Sequence, residues 1–174
     1  MTPHMDEVIL ASQSQIRADL LRNAGVQIEA VPARIDEDAI KTAMQSEDAP
    51  PNDVAATLAD LKAQKIATRN PGRLVIGADQ VLAFDGQIFD KPKDLDAARL
   101  QLQALRGKQH QLLSAVVIYK DSDCLLRELD QVTLTMRRFD DLYRELPRKG
   151  WLHGFNVRGR LPTRGPRRTT LRKG

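Results

Sequence analysis

The sequence predicts an α/β fold with a mixed sheet, and three observations carry that prediction. Apolar runs and amphipathic segments alternate in the order β-α-β-α-β-β-α-β-β. Asp85-Gly86 stands between two apolar runs, the signature of a tight hairpin. The last two runs, Gln109–Tyr119 and Cys124–Met136, are long and separated only by Lys120–Asp123, which predicts an antiparallel pair.

Taken in order, Met1–Asp6 has no pattern, and Val8–Ala11 reads as a buried strand. Ser12, Gln13 and Ser14 form a polar turn into a helix that opens with Gln15-Ile16-Arg17, with Ser14 as N-cap. The unpaired N–H groups of a helix start favour an anion. On a helical wheel Arg17 falls between Leu20 and Leu21, on the face expected to meet the sheet. Gly25 fits the end of this helix. Val26–Val31 alternates as a strand, residues 32–39 read as an acidic turn, and residues 46–53 read as a loop whose Asp53 caps the next helix. That helix, Asp53–Arg69, carries one apolar stripe of Val54, Ala55, Leu58, Ala59, Leu61 and Ile66, with Lys62 in its middle. Asn70-Pro71-Gly72 ends it. Leu74–Phe84 is a strand interrupted by Asp79-Gln80, Gln87–Phe89 is its return, and Asp94–Leu105 is an amphipathic helix.

Charge divides the chain. Residues 1–143 hold 17 basic and 22 acidic residues, a net of −5, whereas residues 144–174 hold ten basic residues and only Glu145, a net of +9. Half of the ten glycines also lie in this tail, so we expect a domain over 1–141 and a basic, disordered segment over 142–174. A tail of this kind is also compatible with a nucleic-acid arm, although it lacks regular aromatic interleaving. One cysteine excludes an internal disulfide, and three scattered histidines (His4, His110, His153) give no zinc pattern. No long apolar run or signal segment is seen, so a soluble, cytoplasmic protein without a membrane partner is expected.

Few residues invite chemistry. Asp79 puts a carboxylate inside an apolar strand, which is costly unless it is paired or faces a cavity. It could serve as a general base or hold a metal, or merely cap a turn. Lys62 sits on an apolar helix face, where it either snorkels or meets a buried anion. Lys62, Lys91 and Lys93 are possible phosphate contacts or solvated lysines. Asp36, Glu37 and Asp38 could bind a divalent cation or form a solvated acidic loop.

Five blocks in fixed order resemble the Maf-like nucleoside triphosphate pyrophosphatases: ILASQSxxRxxLL, LKAQK, VIGADQV, DGxIxDKP and ARxQLxxLxGK, together spanning about residues 7–141. The resemblance implies an inosine-triphosphatase-like mixed sheet flanked by helices around a cleft. It implies hydrolysis between the α and β phosphates, with a divalent cation (Mg or Mn) as cofactor and a nucleoside triphosphate as partner. Matched residue by residue, Asp79 is the proton acceptor. Ser12, Ser14 and Arg17 form the phosphate-binding turn, Lys62 and Lys91 are phosphate contacts, and Glu37 joins Asp79 at the metal. Ile16 and Gln80 fall at positions linked to base choice. Members acting on dTTP and UTP carry SxSPRR and GADT, whereas the 7-methyl-GTP class carries an apolar residue before the arginine and Gln after the aspartate. Ile16 and Gln80 therefore lean to the latter, although Gln15 replaces its usual proline. A homodimer is also compatible.

After about Asp141 the family's further helix, GxYxxEG-like block and closing strands are not recognisable. A truncated or frameshifted C-terminus is the expectation that follows. It makes an inactive nucleotide-binding remnant the rival to an active enzyme, and a nucleic-acid-binding product using the basic tail a third reading.

Overall fold

The computed structural model describes residues 7–139. The expectations for the 142–174 tail, for its boundary at Asp141, and for Met1–Asp6, His4 and His153 lie outside the described residues. The elements are β1 (Val8–Leu10), α1 (Gln15–Asn23), β2 (Ile28–Ala30), α2 (Glu37–Ser46), α3 (Pro51–Ala67), β3 (Leu74–Phe84), β4 (Gln87–Phe89), α4 (Leu95–Leu105), β5 (Gln109–Lys120) and β6 (Asp123–Thr135).

The sheet is mixed, as expected, with order β2-β1-β3-β5-β6 and β4 paired to β3. β2, β1 and β3 run parallel, whereas β4 and β5 run antiparallel to β3. The hairpin forms at Asp85-Gly86, where both residues take positive φ (52° and 74°), as the tightest two-residue turn requires. The rings of Phe84 and Phe89 meet edge to face across it, 5.6 Å apart.

Two apolar layers clamp the sheet. On one face α3 packs Ala55, Ala59, Ala63 and Ile66 against Val75, Val81, Leu113, Ala115 and Val117, and it also buries Val54 and Leu58. The run of alanines lets this helix approach closely. A Cβ on Gly77 would lie 2.2 Å from the Ala59 carbonyl oxygen and 2.7 Å from Ala63 Cβ, so only glycine fits beneath α3. On the other face α1 covers Leu10, Ile28 and Ile76 through Ala18 and Leu21.

Four local expectations are corrected. Residues 37–46 form helix α2, whose start was expected as part of the acidic turn over 32–39 and whose middle had no assignment; Asp36 caps it by accepting from Ala39 N at 3.0 Å. Asp53 is not the cap of α3. The helix starts at Pro51, whose fixed φ and missing N–H suit the first turn, and Asp53 lies inside that turn. Leu20 is 64% exposed and Arg17 only half-buried, since α1 is short and buries fully only Ala18. Leu61 is likewise half-buried, at the margin of the α3 stripe.

Candidate active site

Three parallel strands and the handedness of their connections decide where a site can form. The chain leaves β1 through α1 on one face to reach β2, then returns over the other face through α3 to β3. Connections that diverge from one strand leave a crevice beyond the carboxyl ends of the strands. Here β1 stops early. It pairs with β3 only at Ile9↔Val75 and Leu10↔Ile76, and β4 takes up that same edge only from Leu82. Gly77–Val81 therefore has β5 on one side and an open edge on the other, among the described residues.

The Ser12–Arg17 turn fills part of this edge. Ser12 Oγ accepts from Ser14 N (3.2 Å), and Ser14 Oγ accepts from Arg17 N (3.4 Å), so each hydroxyl binds the turn that carries it. Arg17 folds back, and its Nη1 donates to Ser12 Oγ (3.3 Å) and to the Ala78 carbonyl (3.0 Å). The guanidinium thus bridges the helix start to the residue before Asp79.

Asp79 and Lys62 meet beneath α3. Their side chains are each 8% exposed, and Lys62 Nζ donates to Asp79 Oδ1 at 2.6 Å. Desolvating two such ions costs several kcal/mol each, roughly, before their attraction and hydrogen bond offset it. The apolar side chains of α3 make that tolerable, since each of Val54, Leu58 and Ile66 contributes about 1.5–3 kcal/mol on full burial. Glu37 is the third member, with Oε1 2.8 Å from the same Nζ. It is aimed there by the start of α2, and the preceding loop is held by Lys65 Nζ, which donates to the Arg34 carbonyl at 2.6 Å.

The remaining expected residues are placed as follows. Gln80 follows Asp79, so the strand's period of two turns it to the opposite face, where Nε2 donates to Ser114 Oγ at 2.9 Å. Ile16 is half-buried in the first turn of α1. Lys91 and Lys93 are exposed after β4 and are not drawn into the Lys62–Asp79 cluster. Sequence reasoning missed Lys41, which stands one helical turn after Glu37 on α2. Its Nζ pairs with Asp90 Oδ1 at 2.7 Å. Burial disfavours its charge. The bonded Asp90 carboxylate, with Asp79 and Glu37 beyond, outweighs burial and raises its pKa above the ordinary lysine value of 10.5. The available signal was the i, i+4 spacing from Glu37.

Two carboxylates that converge on one point form a hard-oxygen donor set. Magnesium is commonly held by one or two such carboxylates plus substrate phosphates. Among the described residues no group of three or more His, Cys, Asp or Glu side chains is gathered to hold a metal. Glu37 and Asp79 are oxygen donors of the kind such a cation takes, and they stand on either side of the Lys62 ammonium. No described helix is long and apolar enough to cross a membrane.

Comparison with known proteins gives the following. The family model described as Maf-like protein matches residues 7–145. A nucleoside triphosphate pyrophosphatase of Ruegeria sp. (strain TM1040) is 52% identical over 138 residues, covering 79% of this chain and 69% of that protein. A 7-methyl-GTP pyrophosphatase of Brucella abortus biovar 1 (strain 9-941) is 45% identical over 134 residues, covering 77% and 67%. Among solved structures, a HAM1 protein from Coxiella burnetii aligns with a TM-score of 0.44 at 16% identity, over 72% of this chain and 69% of that one.

Proposed function

The chain belongs to the Maf-like protein family, and from that premise we propose that it is a nucleoside triphosphate pyrophosphatase, a hydrolase acting on an acid anhydride. One observation carries the reading. A buried lysine is clamped between Asp79 and Glu37 at an open strand edge, beside a helix start armed with two serines and an arginine.

Each residue then has a task. Asp79 Oδ2 orients a water and accepts its proton as the oxygen attacks a phosphorus at the α/β linkage. The bond to the bridging oxygen breaks, giving the nucleoside monophosphate and pyrophosphate. Lys62 holds the Asp79 carboxylate in place, and with Arg17 it meets the negative charge that grows on the phosphates. Ser12, Ser14 and the α1 N-terminus position them. Lys91, on the exposed segment after β4, is a further phosphate contact. Glu37 and Asp79 are the residues that would hold a magnesium or manganese ion, which would supply neutralisation of the phosphate charge.

Base choice belongs to Ile16 and Gln80. A nucleotide lying across the open edge presents its phosphates to the Asp79 face and its base to the Gln80 face. An apolar side chain and an amide there favour a modified guanine such as 7-methylguanine, in line with the name of the Brucella relative. The relatives are named as pyrophosphatases, which does not favour the remnant reading. The enzymatic unit is residues 1–141, with 142–174 a separate basic segment, and the family match ends only four residues beyond that boundary. A cytoplasmic setting and a homodimer complete the proposal.

The test is product release from 7-methyl-GTP, dTTP, UTP and GTP with Mg²⁺ or Mn²⁺, with Asp79→Asn as the blank. Monophosphate and pyrophosphate from 7-methyl-GTP in excess over the others is the expected result. Diphosphate and orthophosphate as products would contradict the α/β assignment, and a preference for dTTP or UTP would contradict the roles of Ile16 and Gln80.

A further inference from the structure

We propose that Lys41 is a further phosphate-binding residue of this site, held on Asp90 until a polyphosphate enters. The inference rests on the proposed pyrophosphatase reading and adds a residue to it. Glu37, Ile40, Lys41 and Met44 are the half-buried positions of α2 up to Met44, so Lys41 shares the inward face with Glu37. Glu37 is fixed 2.8 Å from Lys62 Nζ, which places the Lys41 stem about one turn, roughly 5.4 Å, along the axis from the catalytic cluster.

The Lys41–Asp90 pair is lopsided. The Lys41 side chain is 18% exposed and that of Asp90 56%. A half-solvated carboxylate loses little when it is returned to water, whereas an inward-facing ammonium needs an anion beside it. Exchanging Asp90 for a phosphate oxygen satisfies both. Asp90 also keeps its place without its carboxylate, because its carbonyl accepts from Gln101 Nε2 of α4 at 2.6 Å.

The experiment is calorimetric titration of the whole chain with inorganic tripolyphosphate and Mg²⁺, which needs no turnover. Lys41→Gln is expected to weaken binding about tenfold, the loss of one charge-assisted hydrogen bond. Lys41→Arg should stay within about threefold of the unsubstituted protein, because it keeps the charge. Asp90→Asn should bind at least as tightly, since it frees Lys41. Equal weakening by Lys41→Gln and Asp90→Asn would make the pair a structural latch and overturn the proposal. So would unchanged binding in Lys41→Gln, or no binding by the unsubstituted protein. Pyrophosphate release from nucleotides judges the enzymatic reading separately.

Discussion

The α3–β3 contact and the β5–β6 contact hold the same sheet by different means. Along α3, side chains are fully buried, glycine is the only residue that fits at position 77, and even two ions are enclosed. Along β6 nearly every residue is exposed, including Leu125, Leu126, Leu129, Val132 and Leu134. β6 is held by its ladder with β5, which runs from Gln109↔Thr135 to Lys120↔Asp123. A polar knot adds to it: Tyr119 Oη donates to Asp60 Oδ1 at 3.0 Å, and Arg127 Nη2 donates to the same oxygen at 2.7 Å. The lesson is that the chemistry sits where packing is tight. The carboxylate proposed as the base and its lysine need walls that cannot shift, and β6 supplies none of those walls.

That contrast can be broken or sharpened by substitution. The largest stability effect is expected from Gly77→Ala. Its methyl group meets a backbone oxygen that cannot swing away, so α3 must lift and carry Lys62 from Asp79. A loss of about 3 kcal/mol in urea denaturation, together with most of the activity, is expected. An unchanged midpoint would mean that the α3 contact is loose. His110 gives an intermediate effect that depends on pH. It is buried, its Nδ1 has no hydrogen-bond partner among the described residues, and burial pushes its pKa below the ordinary 6.5. The unfolded chain therefore takes up this proton first as pH falls. The stabilising contribution is complete above about 6.5 and is lost as pH falls through the lowered folded value. His110→Gln should consequently compare more favourably with the unsubstituted protein at pH 5 than at pH 7.5. A gap between the two that is independent of pH would contradict this. The smallest effect is expected from Leu126→Ser, on a strand exposed in the described structure. A change within about 0.5 kcal/mol is expected, and a loss of several would show that β6 is covered by something.

Much of this was legible from residue types, because the misfits were local. Asp79 in an apolar strand and Lys62 in an apolar stripe each stood out alone, and the structure closes them on each other across 17 residues. β3 and its hairpin were legible because Asp-Gly leaves the backbone little choice. Helix α2 was not, because it buries no residue fully and its acidic start reads equally well as solvated loop. Lys41 was hidden for a different reason: its spacing from Glu37 signals a shared helix face only once α2 is recognised, and its partner Asp90 is 49 residues away. β6 was legible as the antiparallel partner of β5, but its exposure was not: its apolar residues divide between the two faces of an outer strand, Leu126, Val132 and Leu134 on one and Leu129 on the other.

The central claim is that Asp79 is the base of a pyrophosphate-releasing site, and steady-state turnover of 7-methyl-GTP with Mg²⁺ by Asp79→Asn tests it most directly. Asparagine keeps the shape and still accepts from Lys62, so nucleotide binding should persist while kcat falls by about a hundredfold or more. Turnover in Asp79→Asn equal to that of the unsubstituted protein would remove Asp79 from the chemistry and contradict the account.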